Sequence, residues 1–359
     1  MKIGFYGIIF ILLFSGCLKL TGDTEKTRAR SALIAWVDES KGSTAAVIGV
    51  IDEKGTRFFS YGKTEKKGVP VHEETLFEIG SLTKLFTALL LAVLDEEGVV
   101  DMDAPVWRYL PESRSYLQNE GRPVTLRHLA SHTSGLPRIP ENMGRSDFAN
   151  PYASFGEAEL SACLKGYPLK GASLPGESYG YSNLGYGLLG YLMEKVTQTP
   201  YEELLHEKVL NPLGLGRTRI SADGLEMARP HGPFRNPVPA WDFDVLAGCG
   251  ALKSSARDLL RFLSLVMEHE ENPLKRSVEK TLKEERPLEP GVEGDYICLG
   301  WHKLTLANGE PYYIHDGGTG GSRSFLIFDN EKRKGAVILT NSAKPHDDLI
   351  DFVMKEWMQ

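Results

Sequence analysis

Phe77-Glu78-Ile79-Gly80-Ser81-Leu82-Thr83-Lys84, followed by the apolar run Leu85 to Leu94, is the stretch from which the rest of the chain can be read. Gly80-Ser81 marks a helix start, and Leu82, Leu85, Phe86, Leu89, Leu90 and Val93 then recur at helical spacing. A serine in the first turn puts Lys84 one turn on, along the same face. A helix start also presents unpaired amides and a positive dipole end, which favour an anionic oxygen. A serine nucleophile requires a base within reach and donors for the developing oxyanion, and this spacing offers both. Ser-x-x-Lys is short, however, and a capping serine beside a solvated lysine has the same spelling. Partners elsewhere in the chain decide between the two.

Composition bounds those partners. The chain has 359 residues, 42% of them apolar and 25% charged, as in an ordinary globular protein of one large or two joined domains. A net charge of -7 with no long basic block argues against nucleic acid as a partner. There is no internal repeat or low-complexity segment. Lys2 precedes an uncharged run from Ile3 to Gly16, too short to span a bilayer comfortably but of the length of a secretory signal's apolar region. Leu13-Phe14-Ser15-Gly16-Cys17 resembles a bacterial lipobox, which implies a signal peptide over 1–16 and a lipid on the Cys17 thiol. Phe14 departs from the aliphatic residue usual there, and a cleaved signal without lipid, or an uncleaved anchor, is the alternative. The polar residues 17–30 then read as a tether, and the protein as exported to the bacterial cell envelope. Export places Cys163, Cys249 and Cys298 where a disulfide can form, and an odd number allows at most one bridge within the chain. His128 and His132 are four apart, but no glutamate follows His128 and no third ligand is evident, so no metal is expected.

From residue 31 the elements are legible. Ala32 to Ser40 predicts a helix, and Ala45 to Ile51 with Arg57 to Tyr61 a hairpin turning at Asp52-Glu53-Lys54-Gly55. Helices are expected at Pro123 to Ala130 (with Thr125 as cap), Tyr186 to Val196, Tyr201 to Val209 and Ala256 to Met267. The region 138–157 reads as a loop bordering a cleft. Strands return at Leu299 to Leu306, Tyr312 to His315, Ser324 to Asp329 and Gly335 to Asn341, before a closing helix near Asp347 to Met358. Strands at both ends with helices between predict an α+β fold: an antiparallel sheet built from both termini, with a helical insertion.

Two further motifs complete the pattern. Pro175 to Asn183 lies just before a helix, so Tyr181 and Asn183 are expected to project from a loop. A buried tyrosine beside a lysine can exist as phenolate. His315-Asp316-Gly317-Gly318-Thr319-Gly320-Gly321 ends a strand, where glycines let a backbone N–H approach a ligand. Ser81-Leu82-Thr83-Lys84, Tyr181-Ser182-Asn183 and His315-Asp316-Gly317 stand in the order and rough spacing of the serine β-lactamase and penicillin-binding-protein superfamily, which the chain resembles from about residue 31 to 359. The Tyr-x-Asn form is similar to the class C β-lactamase branch, with its esterases and D-amino-acid peptidases. Leu129 to Pro137, Asn211 to Leu215 and Gly248 to Leu252 fit as well.

The resemblance implies a β-lactamase/DD-peptidase fold, with an α/β domain over 31–99 and 255–359, a mainly helical domain over 100–254, and the active site between them. It implies Ser81 as nucleophile, Lys84 and Tyr181 as a coupled base whose operative member stays open, and backbone N–H groups of Ser81 and Gly318 as oxyanion hole. Asn183, His315 and Gly317 would contact substrate, with no metal or organic cofactor. Where efficient class C β-lactamases have Lys-Thr-Gly, this chain has a histidine, mostly neutral at pH 7 unless perturbed, next to a negative Asp316. That departure favours a hydrolase of an ester, amide or D-amino-acid peptide bond, with weak β-lactamase activity at most. The alternatives are a penicillin-binding or sensing lipoprotein that acylates without turnover, and a true class C β-lactamase.

Overall fold

A computed structural model describes residues 24–39, 45–143, 149–167, 169, 173–234, 236–269, 271–289, 291, 293–306 and 309–358. The signal segment 1–16 and Cys17 lie outside the described residues. The first helix, α1, spans Glu25–Glu39, so the last residues of the stretch expected as a tether, from Glu25 on, are helical. Its opening turns are held by partners far along the chain. Arg28 pairs with Glu356, and Glu25 accepts from Arg57 at 2.8 Å and from the Trp357 indole at 3.0 Å.

Hairpin β1 (Ala45–Asp52) and β2 (Gly55–Gly62) forms as expected. Near the C-terminus come β3 (Arg286–Pro287), β4 (Tyr296–Ile297), β5 (His302–Thr305), β6 (Pro311–Gly318), β7 (Arg323–Asp329) and β8 (Lys334–Thr340). They make one eight-stranded sheet in the order β2-β1-β8-β7-β6-β5-β4-β3, antiparallel throughout. The first strand pairs with the last, Val47 opposite Leu339 and Ile48 opposite Ile338. Two expectations shift. The strand expected from Leu299 begins at His302, whereas the one expected to stop at His315 runs on through Gly318. The His-Asp-Gly-Gly run is therefore part of the sheet, paired with β7, and not a loop beyond it.

Alternation along each strand separates two cores. Val47, Leu326, Val337 and Leu339 face α2 (Thr83–Glu96) and α7 (Ala256–Val266). Ala46, Ile48, Ile327 and Ile338 face Leu33 and Trp36 of α1 and the closing helix α8 (Asp347–Val353). Helix α2 is buried all round from Thr83 to Leu94, which a surface helix never is, and it forms the hub of the larger core. Between α2 and α7 the described chain has α-helices α3 (Leu126–Ala130), α4 (Glu157–Gly166), α5 (Asn183–Thr197) and α6 (Tyr201–Leu205), joined by long, mostly irregular segments. Helix α3 carries its expected cap. The Thr125 hydroxyl accepts from the His128 N–H, and the His128 ring accepts in turn from the Thr125 N–H.

Candidate active site

Ser81 lies in a short 3-10 turn, Gly80–Leu82, that runs directly into α2. The turn is pressed against the sheet. Gly80 has φ +48°, and a Cβ there would lie 2.7 Å from the Gly318 nitrogen. A Cβ on Gly317 would fall 2.1 Å from the Ile79 carbonyl oxygen, which already accepts from the Ser324 hydroxyl at 2.8 Å. Only glycines permit this approach, and it brings the Ser81 and Gly318 amides to one cleft.

Three elements then converge on Lys84. It is wholly buried, one turn along α2, and its Nζ contacts Ser81 Oγ at 3.1 Å, Asn183 Oδ1 at 2.9 Å and the Cys249 carbonyl at 2.6 Å. Asn183 is the first residue of α5, not part of the loop before it, and Ser182 caps the helix by accepting from the Gly185 N–H at 2.8 Å. Cys249 ends a 3-10 turn, Ala247–Cys249. The Asn183 amide donates from Nδ2 to the Tyr152 hydroxyl at 2.9 Å, which leaves its oxygen for Lys84. On the other side of Ser81, the Tyr181 hydroxyl donates to its Oγ at 2.7 Å.

Electrostatics separates the two candidate bases. Burial brings the Lys84 pKa down to about 8, and the nearby Arg138 charge works in the same direction. Burial moves Tyr181 the opposite way, well above its ordinary value, against the opposing hydrogen bond to Ser81. A Tyr181 phenolate is thus disfavoured, because the cost of burying the anion exceeds what the Ser81 hydrogen bond and the Arg138 charge return. A neutral Lys84 has two N–H groups and one lone pair. Asn183 Oδ1 and the Cys249 carbonyl can only accept, so they take the N–H groups and the lone pair faces Ser81.

His315 differs from its sequence reading. It is 1% exposed, its Nδ1–H donates to the Asp316 carbonyl at 2.6 Å, and its Nε2 is buried without a hydrogen-bond partner among the described residues. Burial and the charges of His302 and Lys84 hold it well below its ordinary pKa. A neutral interior ring, 6.4 Å from the Tyr181 ring and 5.4 Å from that of His302, cannot replace a substrate-binding cation. Asp316 is exposed, and its charge still reaches the site, favouring the protonated forms of Lys84 and Tyr181.

Several contributors carry no motif. Tyr152, Trp241 and Phe243 form an aromatic wall of the cleft in which Ser81 and Gly318 stand. Tyr152 and Phe243 stack at 4.6 Å. Tyr152 belongs to the 138–157 loop expected to border a cleft, whereas Trp241-Asp242-Phe243 had as its signal only an aromatic pair in a proline-rich stretch. Glu78, 3% exposed, accepts from the Trp241 N–H at 2.7 Å, the Thr319 hydroxyl at 2.8 Å and the Ser322 hydroxyl at 3.0 Å. It thereby joins the wall, the turn after Gly318 and the strand leading to Ser81. His132 stacks on Tyr181 at 4.3 Å, and its Nδ1 accepts from the Ser182 N–H at 3.0 Å. Both histidines of the spaced pair thus hold backbone, and no cluster of three metal-binding side chains occurs among the described residues. Cys163, Cys249 and Cys298 are buried free thiols.

The chain is 28% identical over 318 residues to the D-alanyl-D-alanine-carboxypeptidase/endopeptidase AmpH of Escherichia coli, covering 84% of this chain and 80% of that one. It is 47% identical to the esterase EstB of Burkholderia gladioli over 70 residues, 19% of this chain and 18% of the other. A class C β-lactamase structure from Rhodobacter sphaeroides superposes with a TM-score of 0.76 at 24% identity, over 91% of this chain and 99% of that one, and so shares the fold. The Beta-lactamase family model matches residues 31–353, a span that takes in the Ser81 turn, the head of α5 and the whole sheet, and the chain therefore belongs to the Beta-lactamase family of serine hydrolases.

Proposed function

We propose that Ser81 is the nucleophile of an acyl-enzyme hydrolase acting on an ester, amide or D-amino-acid peptide bond. The observation that carries this reading is that Lys84, one turn along, and Tyr181, a hundred residues on, both contact Ser81 Oγ, at 3.1 and 2.7 Å. Neutral Lys84 takes the Ser81 proton as Oγ attacks the carbonyl carbon. The resulting ammonium is held by Asn183 and Cys249 without rearrangement. The N–H groups of Ser81 and Gly318 receive the oxyanion, and Tyr181 passes a proton to the leaving group and recovers one from Lys84. Water then hydrolyses the acyl-enzyme by the same steps. Asn183 and the strand at Gly317 hold the substrate, and His315 acts from the interior by packing near Tyr181.

The named relatives support the choice of bonds, one being called a D-alanyl-D-alanine carboxypeptidase/endopeptidase and another an esterase. Ser81→Ala should abolish labelling by a fluorophosphonate and lower turnover of p-nitrophenyl acetate by roughly 10⁴-fold or more. Unchanged turnover in a pure, folded sample would overturn the assignment. Lys84→Ala and Tyr181→Phe should each be nearly as damaging, and their effects should not add.

The envelope location and the Cys17 anchor belong to the same proposal, supported by the lipobox resemblance at Leu13 to Cys17. No helix among the described residues is long and apolar enough to cross a membrane. Labelled palmitate should enter the protein in a bacterial host, and Cys17→Ser should abolish the incorporation. An unlabelled wild type would leave an ordinary signal peptide.

A further inference from the structure

We infer that the Tyr152 hydroxyl is a substrate-binding donor of the cleft, selecting acyl groups that carry a neutral acceptor, such as a ketone or amide oxygen, beyond the scissile carbonyl. This rests on the Ser81 reading given above. Tyr152 is 5% exposed and lines the cleft together with Ser81, Asn183 and Gly318. Its oxygen accepts from Asn183 Nδ2 at 2.9 Å. That bond occupies a lone pair and leaves the phenolic proton, which meets no acceptor among the described residues. A buried O–H without an acceptor is costly, so an acceptor that enters the cleft is favoured there.

The ring is held in place, and only the O–H rotor is left to adjust. Phe243 stacks on it at 4.6 Å and 22°, and Trp241 leans against it at 5.4 Å and 50°. Asn183 is fixed in turn, since its oxygen accepts from Lys84 at 2.9 Å. The cleft suits the acyl part of the substrate and not the leaving group. Ser81 and Gly318, the oxyanion donors, line it, whereas Tyr181, which serves the leaving group, touches Ser81 Oγ without lining it. The acceptor is neutral because no charged side chain lines the cleft among the described residues. An anion set against three aromatic rings would lose its hydration with no partner in exchange. The Trp241 Nε1–H is also buried without a partner among the described residues, but it does not compete. It lies against Gly320, where a Cβ would come within 2.9 Å of it.

The test compares two esters that differ only in an acceptor: 4-nitrophenyl 4-oxopentanoate and 4-nitrophenyl 4-methylpentanoate, in which a methyl replaces the ketone oxygen. The 5-oxohexanoate and 5-methylhexanoate pair extends the reach by one carbon. Tyr152→Phe keeps the ring and its stack on Phe243 and removes the hydroxyl alone. In that variant the ratio of kcat/KM, oxo over methyl, should fall about 5-fold in at least one pair, as expected for losing one neutral hydrogen bond. Loosening of Asn183 would slow both esters of a pair, so a general loss of rate cancels in the ratio. An unchanged ratio in both pairs overturns the inference, whatever the absolute rates. A ratio that rises also overturns it, since the hydroxyl would then be withholding Asn183 from the substrate.

Failure of the Ser81 reading is separable. If the wild type turns over neither ester, calorimetric binding of the matching 4-nitroanilides to Ser81→Ala decides the matter. Addition of Tyr152→Phe should weaken the oxo compound about 5-fold and leave the methyl compound within about 2-fold, as loss of one hydrogen bond predicts. Equal weakening of the two, or none, again counts against Tyr152.

Discussion

At the scale of single residues, the proposed mechanism depends on one buried amine whose pKa burial lowers to about 8. Lys84 must lose its proton before it can take one from Ser81, so kcat/KM for a neutral ester should rise with pH through about 8. A rate falling through that range would assign the proton transfer elsewhere. Lys84→Arg preserves the charge and should be inactive at every pH, because a guanidinium does not deprotonate. His315→Lys would place a second cation in the interior beside the first. A buried, unpaired charge costs several kcal/mol, so the variant should melt well below the wild type and gain nothing toward anionic substrates. A stable variant with improved cephalosporin turnover would contradict the interior placement. The relation of Ser81 to Lys84 was legible in the sequence, since three residues along one helix fix it. The burial of His315 was not, because residue type is local whereas burial is set by neighbours such as Tyr181 and His302, the first of them distant in sequence.

At the scale of elements, the cleft is a junction of segments tied by Glu78. Glu78→Ala removes the acceptor from the Trp241 N–H and from two hydroxyls, and a buried donor left unsatisfied costs about 1–3 kcal/mol. The melting temperature should drop by several degrees and kcat/KM by on the order of 10-fold or more, as the aromatic wall and the turn after Gly318 separate from the nucleophile. Glu78→Gln keeps an acceptor for Trp241 and should restore most of the stability, which a thermal melt of the two variants compares directly. Equal melts for wild type and Glu78→Ala would refute the tie. Strand and helix identities were readable where a period persisted, as in β1, α2 and α7. The strands at Arg286–Pro287 and Tyr296–Ile297 were not, since two residues carry no period. The same limit hid Trp241 and Phe243, which reach the cleft from an irregular segment whose position is decided by Glu78.

At the scale of the whole molecule, the sheet is a closure of the chain on itself. That strands would come from both ends was readable from where the β-branched runs fall, but the pairing of β1 with β8 was not, because register is a property of two strands together. Helix α1 covers the outer face of that pairing, over Ala46, Ile48 and Ile338. A protein beginning at residue 22 should therefore fold, and one beginning at residue 41 should expose the apolar face of the sheet and aggregate, as light scattering and circular dichroism would show. Folding of the shorter chain as a monomer would mean α1 is dispensable.

The pairing of the first strand with the last also sets when an active molecule can exist during synthesis. By the time Asn183 has been made, the nucleophile, the amine and the tyrosine are all present in one chain. Yet the amide at Gly318 and the strands that hold the Ser81 turn from behind are still to come, and β1 has no β8 to join. The nascent chain must carry a long unpaired strand edge until residue 340 is available, the condition in which chains misassociate most readily. A stop codon between Gly318 and the last strand therefore leaves all three motifs in a chain whose first strand lacks its partner from the C-terminal end.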